Sequence, residues 1–343
     1  MLNTVEAILT VNNLKTTFLT GSGAVQAVRG ISFQVGKGEI VGIVGESGSG
    51  KSVSSMSILR LLPGTARIDR ESSIVFDGQE LTGLTPKQLR QIRGKRIAMI
   101  FQDPMSSLNP LIPVGKQVEE MLKIHHKELT REQLRGQVLE LFGQVRIPEP
   151  EKRLKEFPHQ FSGGMRQRVM IAMALANKPD LLIADEPTTA LDVTIQDQIL
   201  KQLRTLQQES GASIIFITHD LGVVAELCQR VLVMYGGLIM EEAPIDDLFE
   251  NPGHPYTMGL MASIPALNQD KTGRLPSIPG SPPDMTNPPQ GCPFAPRCPY
   301  ARKICAAQCP PYVSLGENRR SMCWLLQPDA PAENNPFRKE AAR

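Results

Sequence analysis

The segment "GESGSGKS" at residues 45–52 follows the apolar run "EIVGIV" and fits the pattern G-x-x-x-x-G-K-S/T. Gly45, Gly48 and Gly50 let a backbone turn its N–H groups inward around phosphate oxygens, and Glu46, Ser47 and Ser49 complete the loop. A helix beginning here would point its positive end at the same anion. Lys51 would add charge for the β- and γ-phosphates, and Ser52 a hard hydroxyl ligand for Mg²⁺. The bland reading is a glycine-rich turn with an incidental lysine; the strand before and the helix after it argue for phosphate binding.

Two more stretches have chemistry-bearing spacing. "LLIADEP" at 181–187 is an apolar run ending in two acids, the way a buried sheet delivers carboxylates to its carboxyl edge. Asp185 would sit near Mg²⁺, and Glu186 would orient or deprotonate an attacking water. Taken alone, the pair could equally cap the next helix. In "FSGGMRQRV" at 161–169, Ser162 and the N–H groups of Gly163 and Gly164 could bind an anion at a helix start, with Arg166 and Arg168 on the same helix. A plain serine N-cap is the stronger reading of that stretch by itself.

The elements that must position these groups follow from pattern. Short β-rich runs at 7–11, 31–35, 39–45, 96–101, 180–186 and 213–220 alternate with segments of helical spacing, which implies an α/β fold. The runs "IVGIV" and "LLIA" suit a parallel sheet covered on both faces, whereas the earliest strands alternate and suit an antiparallel edge region. Strand signals vanish between about 103 and 165, where 116–145 carries apolar residues at helical spacing and predicts a helical insertion. From 251 onward proline pairs at 282–283 and 288–289 predict a loop-rich appendage. The polar, proline-containing stretch 327–343 lacks apolar surface and is expected to be disordered.

With 343 residues, 41% of them hydrophobic, the chain can bury a sizeable core. A net charge of +2 gives no electrostatic footprint for a nucleic-acid partner. No secretory signal and no run of 18 apolar residues is readable, so the cytoplasm is the expected compartment. In that compartment clustered cysteines are metal ligands or reactive thiols rather than disulfides.

Taken in order, "GESGSGKS", "FQDP" with Gln102, "FSGGMRQ", "LLIADE", "ALD" with Asp192 and "ITHD" with His219 resemble the ATP-binding subunit of an ABC transporter, over roughly residues 5–250. The resemblance implies a RecA-like P-loop NTPase core. It further implies that Phe18 stacks on adenine, that Gln102 touches Mg²⁺ or water and signals to a membrane subunit, and that His219 braces the γ-phosphate. Two ATP molecules would be sandwiched in a dimer, each between one subunit's phosphate loop and the other's Ser162–Met165 helix start. One departure stands out: the family's L-S-G-G-Q signature has Phe161 and Met165 at its ends here, so the glutamine contact is absent. Glu186 and His219 are both present, and hydrolysis is expected to be retained.

"FQDPMSSLNPLIPVG" (101–115) and "NPGHPYTMGLMASIP" (251–265) look like the dipeptide and oligopeptide importer branch, parts of which nickel importers share. The expected partners are a second ATPase subunit, two membrane permeases and, indirectly, a substrate-binding protein, at the cytoplasmic face of the inner membrane. The competing reading is a soluble ABC ATPase acting on ribosomes or DNA; the second cassette, coiled-coil insertion or basic surface such proteins use is not visible. The implied organisation is an ATPase domain over 1–250, an importer extension over 251–326 and the tail.

Six cysteines remain to be placed. Cys228 lies in a helical segment, where a small buried thiol is expected. Cys292, Cys298, Cys305, Cys309 and Cys323 lack the paired C-x₂₋₄-C spacing of structural zinc, and four thiolates on an irregular loop could hold an iron–sulfur cluster. Zinc and a reduced thiol cluster are the alternatives. The importer ATPases resemble this region around "GCPFAPRCPYA", which maps 4Fe–4S ligands onto Cys292, Cys298, Cys305 and Cys323. Cys309 is then surplus or a substitute for Cys323. A metal there would staple a segment that has little core of its own.

Overall fold

Every residue of the strands Ile40–Val44, Leu181–Asp185, Ser213–Thr218 and Arg230–Tyr235 is buried, which is why the sequence shows these as continuous apolar runs rather than alternating ones. The structure, a computed structural model, describes residues 6–21, 23–103, 107–188, 193–264 and 277–338. Its contacts group the chain into two compact units. One comprises Met1–Leu9, Gln34–Ile40 and Phe76–Ile217; the other comprises Thr10–Phe33, Val41–Val75 and Thr218–Arg343.

In the first unit, Ile97–Ile100 and Leu181–Asp185 run parallel, with Ile97 opposite Leu181, and Leu181–Asp185 runs parallel to Ser213–Thr218, with Asp185 opposite Ile217. Parallel neighbours need a long crossover, and Val193–Ser210 supplies a helical one between the last two. The region predicted as a helical insertion contains Val114–His125, Arg131–Gln144 and Gly163–Leu175, which pack on one another. The first two bury Val118, Leu122, Leu134, Val138 and Phe142. Arg131–Gln144 starts at a capping box. The Gln133 N–H donates to Thr130 Oγ1 at 3.3 Å, and the Thr130 N–H donates to Gln133 Oε1 at 2.9 Å.

In the second unit, Ile40–Val44 pairs in parallel with Arg230–Tyr235, which turns back through Gly236 and Gly237 into the antiparallel strand Leu238–Pro244. The expected antiparallel region is present near the chain start: Ala7–Thr20 pairs with Ala66–Ile68, Thr16 opposite Ile68 and Phe18 opposite Ala66.

The C-terminal segment, expected as a loop-rich appendage, contributes paired strands. Its strand Arg319–Ser321 pairs antiparallel with Leu238–Pro244 and with Val313–Gly316. Buried Glu242 fastens this addition, accepting hydrogen bonds from Arg230 Nη1 and from Arg320 Nε, the latter at 2.7 Å. Residues 327–338, expected to lack order, fold back on it: buried Asn335 donates to the Leu325 carbonyl at 2.9 Å, and Arg338 Nη2 donates to the Gln327 carbonyl at 3.0 Å. The composition of this stretch is polar, but a single buried asparagine satisfies carbonyls that would otherwise be left open. Residues 339–343 lie outside the described residues. Among the described residues no helix is long and apolar enough to cross a membrane.

Candidate functional site

The sequence pattern 45–52 forms a tight loop between the strand Ile40–Val44 and the helix Lys51–Ile58. Gly45 has φ +152° and a Cβ there would stand 2.1 Å from the Met234 carbonyl oxygen; Gly50, the N-cap, has φ +102° and a Cβ would stand 2.5 Å from the Ala27 carbonyl. Both positions therefore exclude side chains on two grounds, conformation and space. Gly48, at the crest, meets no neighbour within 4 Å, which leaves the mouth of the cradle clear. Buried Lys51 lies across the loop, its Nζ donating to the carbonyls of Gly45 at 2.8 Å and Glu46 at 3.0 Å. Ser52 is the second residue of the helix and half-buried; Ser49 is buried, and the Gly237 N–H donates to its carbonyl at 3.1 Å. The loop thus brings one ammonium and a helix N-terminus to a glycine-lined turn, groups that a triphosphate needs.

Glu46 is held from outside the loop. Its N–H donates to Tyr256 Oη at 2.9 Å, and its carboxylate accepts from Arg297 Nη1 at 2.7 Å. Sequence reasoning did not find Arg297 or Tyr256: one stands among prolines and cysteines, the other in a short helix, and neither has a spacing that signals contact with residue 46.

Phe18 is half-buried on the strand Ala7–Thr20. His219 is exposed just after the strand Ser213–Thr218, and the following Asp220 caps the helix Leu221–Leu227, accepting from the Gly222 N–H at 2.8 Å. Cys228, at the end of that helix, is buried as expected.

In the first unit, Asp185 ends its strand 4% exposed, and Glu186 follows in a left-handed conformation, φ +46°. That backbone costs on the order of 1 kcal/mol for a residue with a side chain. It is held by the Glu186 N–H, which donates to the Ile217 carbonyl at 2.9 Å. The turn brings the Glu186 carboxylate to Gln102, whose Nε2 donates to Oε2 at 3.1 Å. Two acidic neighbours thus face different ways, one buried at the strand end and one in reach of an amide.

Ser162 caps the helix Gly163–Leu175, accepting from the Met165 N–H at 3.3 Å, with Ser162 and Gly163 exposed and Gly164 against Ile195. The two arginines of that helix are engaged: Arg166 Nε donates to the Pro158 carbonyl at 2.8 Å, and Arg168 Nη1 donates to the Arg146 carbonyl at 2.8 Å. Asp192 lies outside the described residues.

The cysteines resolve into two kinds. Cys292, Cys298, Cys305 and Cys323 line one narrow pocket, together with His254, Phe294 and Trp324. Cys309 is exposed, its Sγ 3.7 Å from Met322 Sδ. The chain returns Cys323 to the void through the paired strands Val313–Gly316 and Arg319–Ser321. Burial, and then the neighbouring thiols, pushes Cys292 and Cys323 up to about 12; burial pushes Cys298 up to about 11. Four cysteine sulfurs lining one pocket are a soft donor set of the kind that iron or zinc takes. Among the described residues no three His, Cys, Asp or Glu side chains converge closely enough to hold a single metal ion.

Against known families, residues 28–189 match the ABC transporter family and residues 240–305 match the oligopeptide/dipeptide transporter C-terminal region. The chain is 52% identical over 332 residues to the oligopeptide transport ATP-binding protein OppD of Bacillus subtilis (strain 168), covering 97% of this chain and 92% of that one. It is 50% identical over 320 residues to the dipeptide transport ATP-binding protein DppD of the same organism, covering 93% and 95%. Among solved structures, the dimeric ATP-binding cassette MJ0796 in a post-hydrolysis state bound to ADP and Pi is 30% identical with a TM-score of 0.63, covering 69% of this chain and 98% of that one. The chain belongs to the ABC transporter family, as an ATP-hydrolysing cassette that carries the C-terminal region of the oligopeptide/dipeptide transporters.

Proposed function

We propose that this chain is the ATPase subunit of an inner-membrane importer for di- or oligopeptides, peripheral on the cytoplasmic face. The observation that carries this reading is the match to the oligopeptide/dipeptide transporter C-terminal region beside the ordered cassette motifs. Identity near one half along almost the whole of OppD and DppD supports it. The chain itself does not select the peptide; two permeases and a binding protein would.

For the second unit, the 45–52 loop and Lys51 bind the phosphates, Phe18 stacks on adenine and His219 braces the γ-phosphate. For the first, Glu186 orients the attacking water and accepts its proton as the β–γ bond breaks to give ADP and phosphate. Gln102, by its hydrogen bond to Glu186, fixes the direction of that carboxylate and is the natural reporter to a permease. Mg²⁺ when bound neutralises phosphate charge; Ser52, Asp185 and Gln102 are the residues that would hold it. Ser162, Gly163, Gly164 and Met165 present an exposed helix start to the nucleotide of a second ATPase subunit, with Asp192 in the same role set. Hydrolysis then weakens a nucleotide shared by two surfaces, and their separation moves the permeases.

The thiol-lined void is proposed to hold a 4Fe–4S cluster on Cys292, Cys298, Cys305 and Cys323. Support comes from the four cysteines that line one pocket. Bound there, the cluster would supply structural cross-linking.

The test of function is reconstitution with the permeases and binding protein in proteoliposomes. Peptide-stimulated ATP hydrolysis with uptake of labelled dipeptide is expected; stimulation by nickel but by no peptide would contradict the substrate class.

A further inference from the structure

The contacts on Glu46 lie outside everything assigned so far. Arg297 is 6% exposed in its side chain and spends its guanidinium on four partners. Nη1 donates to Glu46 Oε2 at 2.7 Å and to Tyr235 Oη at 3.0 Å, Nε to the Pro279 carbonyl at 2.8 Å, and Nη2 to the Ile278 carbonyl at 3.1 Å. The planar fork suits this: three directions are filled at once, which a lysine ammonium on a flexible stem does less rigidly. Burial works against the charge, but the hydrogen bonds to Glu46 and Tyr235 outweigh it and the guanidinium is held protonated. Tyr256 meanwhile takes the Glu46 N–H. Its ring packs at 4.6 Å from Tyr235 and 5.2 Å from Phe294, and Phe294 lines the thiol void. The first turn of the phosphate loop is therefore clamped by side chain and by backbone from the C-terminal segment, through residues adjoining Cys292 and Cys298.

We propose that Arg297 is a positioning residue for nucleotide binding: by its ion pair with Glu46, with Tyr256 on the Glu46 N–H, it holds the phosphate loop in the shape that accepts a triphosphate. This rests on the reading of 45–52 as the phosphate cradle. Loops that bind phosphate by backbone N–H groups gain affinity from being pre-formed, because the ordering cost is not charged to the ligand. A loop rich in glycine has the most such entropy to lose. The C-terminal segment supplies what the glycines cannot.

The experiment is a titration of the full-length chain with the fluorescent nucleotide mant-ATP and Mg²⁺, alongside thermal midpoints without nucleotide. The proteins are the wild type, Lys51→Ala, Glu46→Ala, Arg297→Met, Arg297→Lys and the Glu46→Ala/Arg297→Met double variant. Lys51→Ala should abolish binding, which tests the cradle itself. Glu46→Ala and Arg297→Met should each weaken binding about tenfold, and the double variant no more than the weaker single, since both remove one coupling. Arg297→Lys should recover part of the loss, and Glu46→Ala should stay folded at the titration temperature, separating positioning from folding. Wild-type affinity in Glu46→Ala while Lys51→Ala fails to bind overturns the proposal and leaves the cradle standing. Additive losses in the double variant also overturn it. Unchanged binding in Lys51→Ala removes the cradle and the proposal together. If Arg297→Met does not fold, Glu46→Ala alone decides, since it removes the ion pair from its half-buried side.

Discussion

Gln102 Nε2 donates to Glu186 Oε2 at 3.1 Å, and the Glu186 backbone lies at φ +46°. A carboxylate on a strained turn, steadied by an amide from another strand end, is aimed rather than free. Gln102→Ala should lower kcat about tenfold with little change in KM for ATP, a fraction of the roughly 10²–10⁴ that a positioned base supplies. Steady-state kinetics on the assembled transporter would check this; an unchanged kcat would show that the contact does not orient the base.

Gly45→Ala would place a Cβ 2.1 Å from the Met234 carbonyl at φ +152°. Backbone must shift on one side or the other. A loss of about 2–4 kcal/mol in stability is expected, together with loss of nucleotide binding. Denaturant unfolding of the variant would measure it; a change under about 0.5 kcal/mol would mean that the loop has room the geometry denies.

Two buried groups of the second unit titrate in opposite senses. Burial raises Glu241 from 4.5 to about 7, and burial lowers His254 from 6.5 to about 3. Between pH 4.5 and 6.5 the folded state holds a proton on Glu241 that the unfolded chain has released, and lacks one on His254 that the unfolded chain has bound. The two slopes cancel there. Glu241→Gln removes one of them, so acidification through this window should favour the wild type over the variant by about 1.4 kcal/mol per pH unit. Thermal midpoints from pH 4.5 to 7 would show it; a constant gap between the two proteins would contradict the raised Glu241.

The cysteine assignment separates Cys309 from Cys323. Purified without oxygen, the wild type and Cys309→Ser should carry about four iron and four sulfide per chain, and Cys323→Ser should carry far less. Zinc in place of iron, or equal loss in both variants, would overturn the cluster. Removing the ligands should also lower the thermal midpoint, as a cluster that staples the segment requires.

The parallel strands were legible because burial on both faces writes a strand as an unbroken apolar run; "LLIAD" and "SIIFIT" could hardly be anything else. The helical pair within 114–144 was equally plain from its spacing. The thiol set was only half legible, because the choice between Cys309 and Cys323 depends on a strand pairing that carries the chain away and back, and spacing does not record it. The stretch 327–338 reads from composition as a tail without order, yet Asn335 donates to the Leu325 carbonyl, a contact that composition does not record. Arg297 and Glu46 are 251 residues apart, and nothing local in either stretch announces their contact.

In the proposed function, hydrolysis by a positioned Glu186 is the step on which transport depends, and Glu186→Gln tests it most directly. In the assembled transporter, filter binding of labelled ATP and phosphate release should be measured on the same preparation. ATP retained at or above the wild-type level with turnover reduced at least about 100-fold is the predicted result. Phosphate release at the wild-type rate would contradict the account.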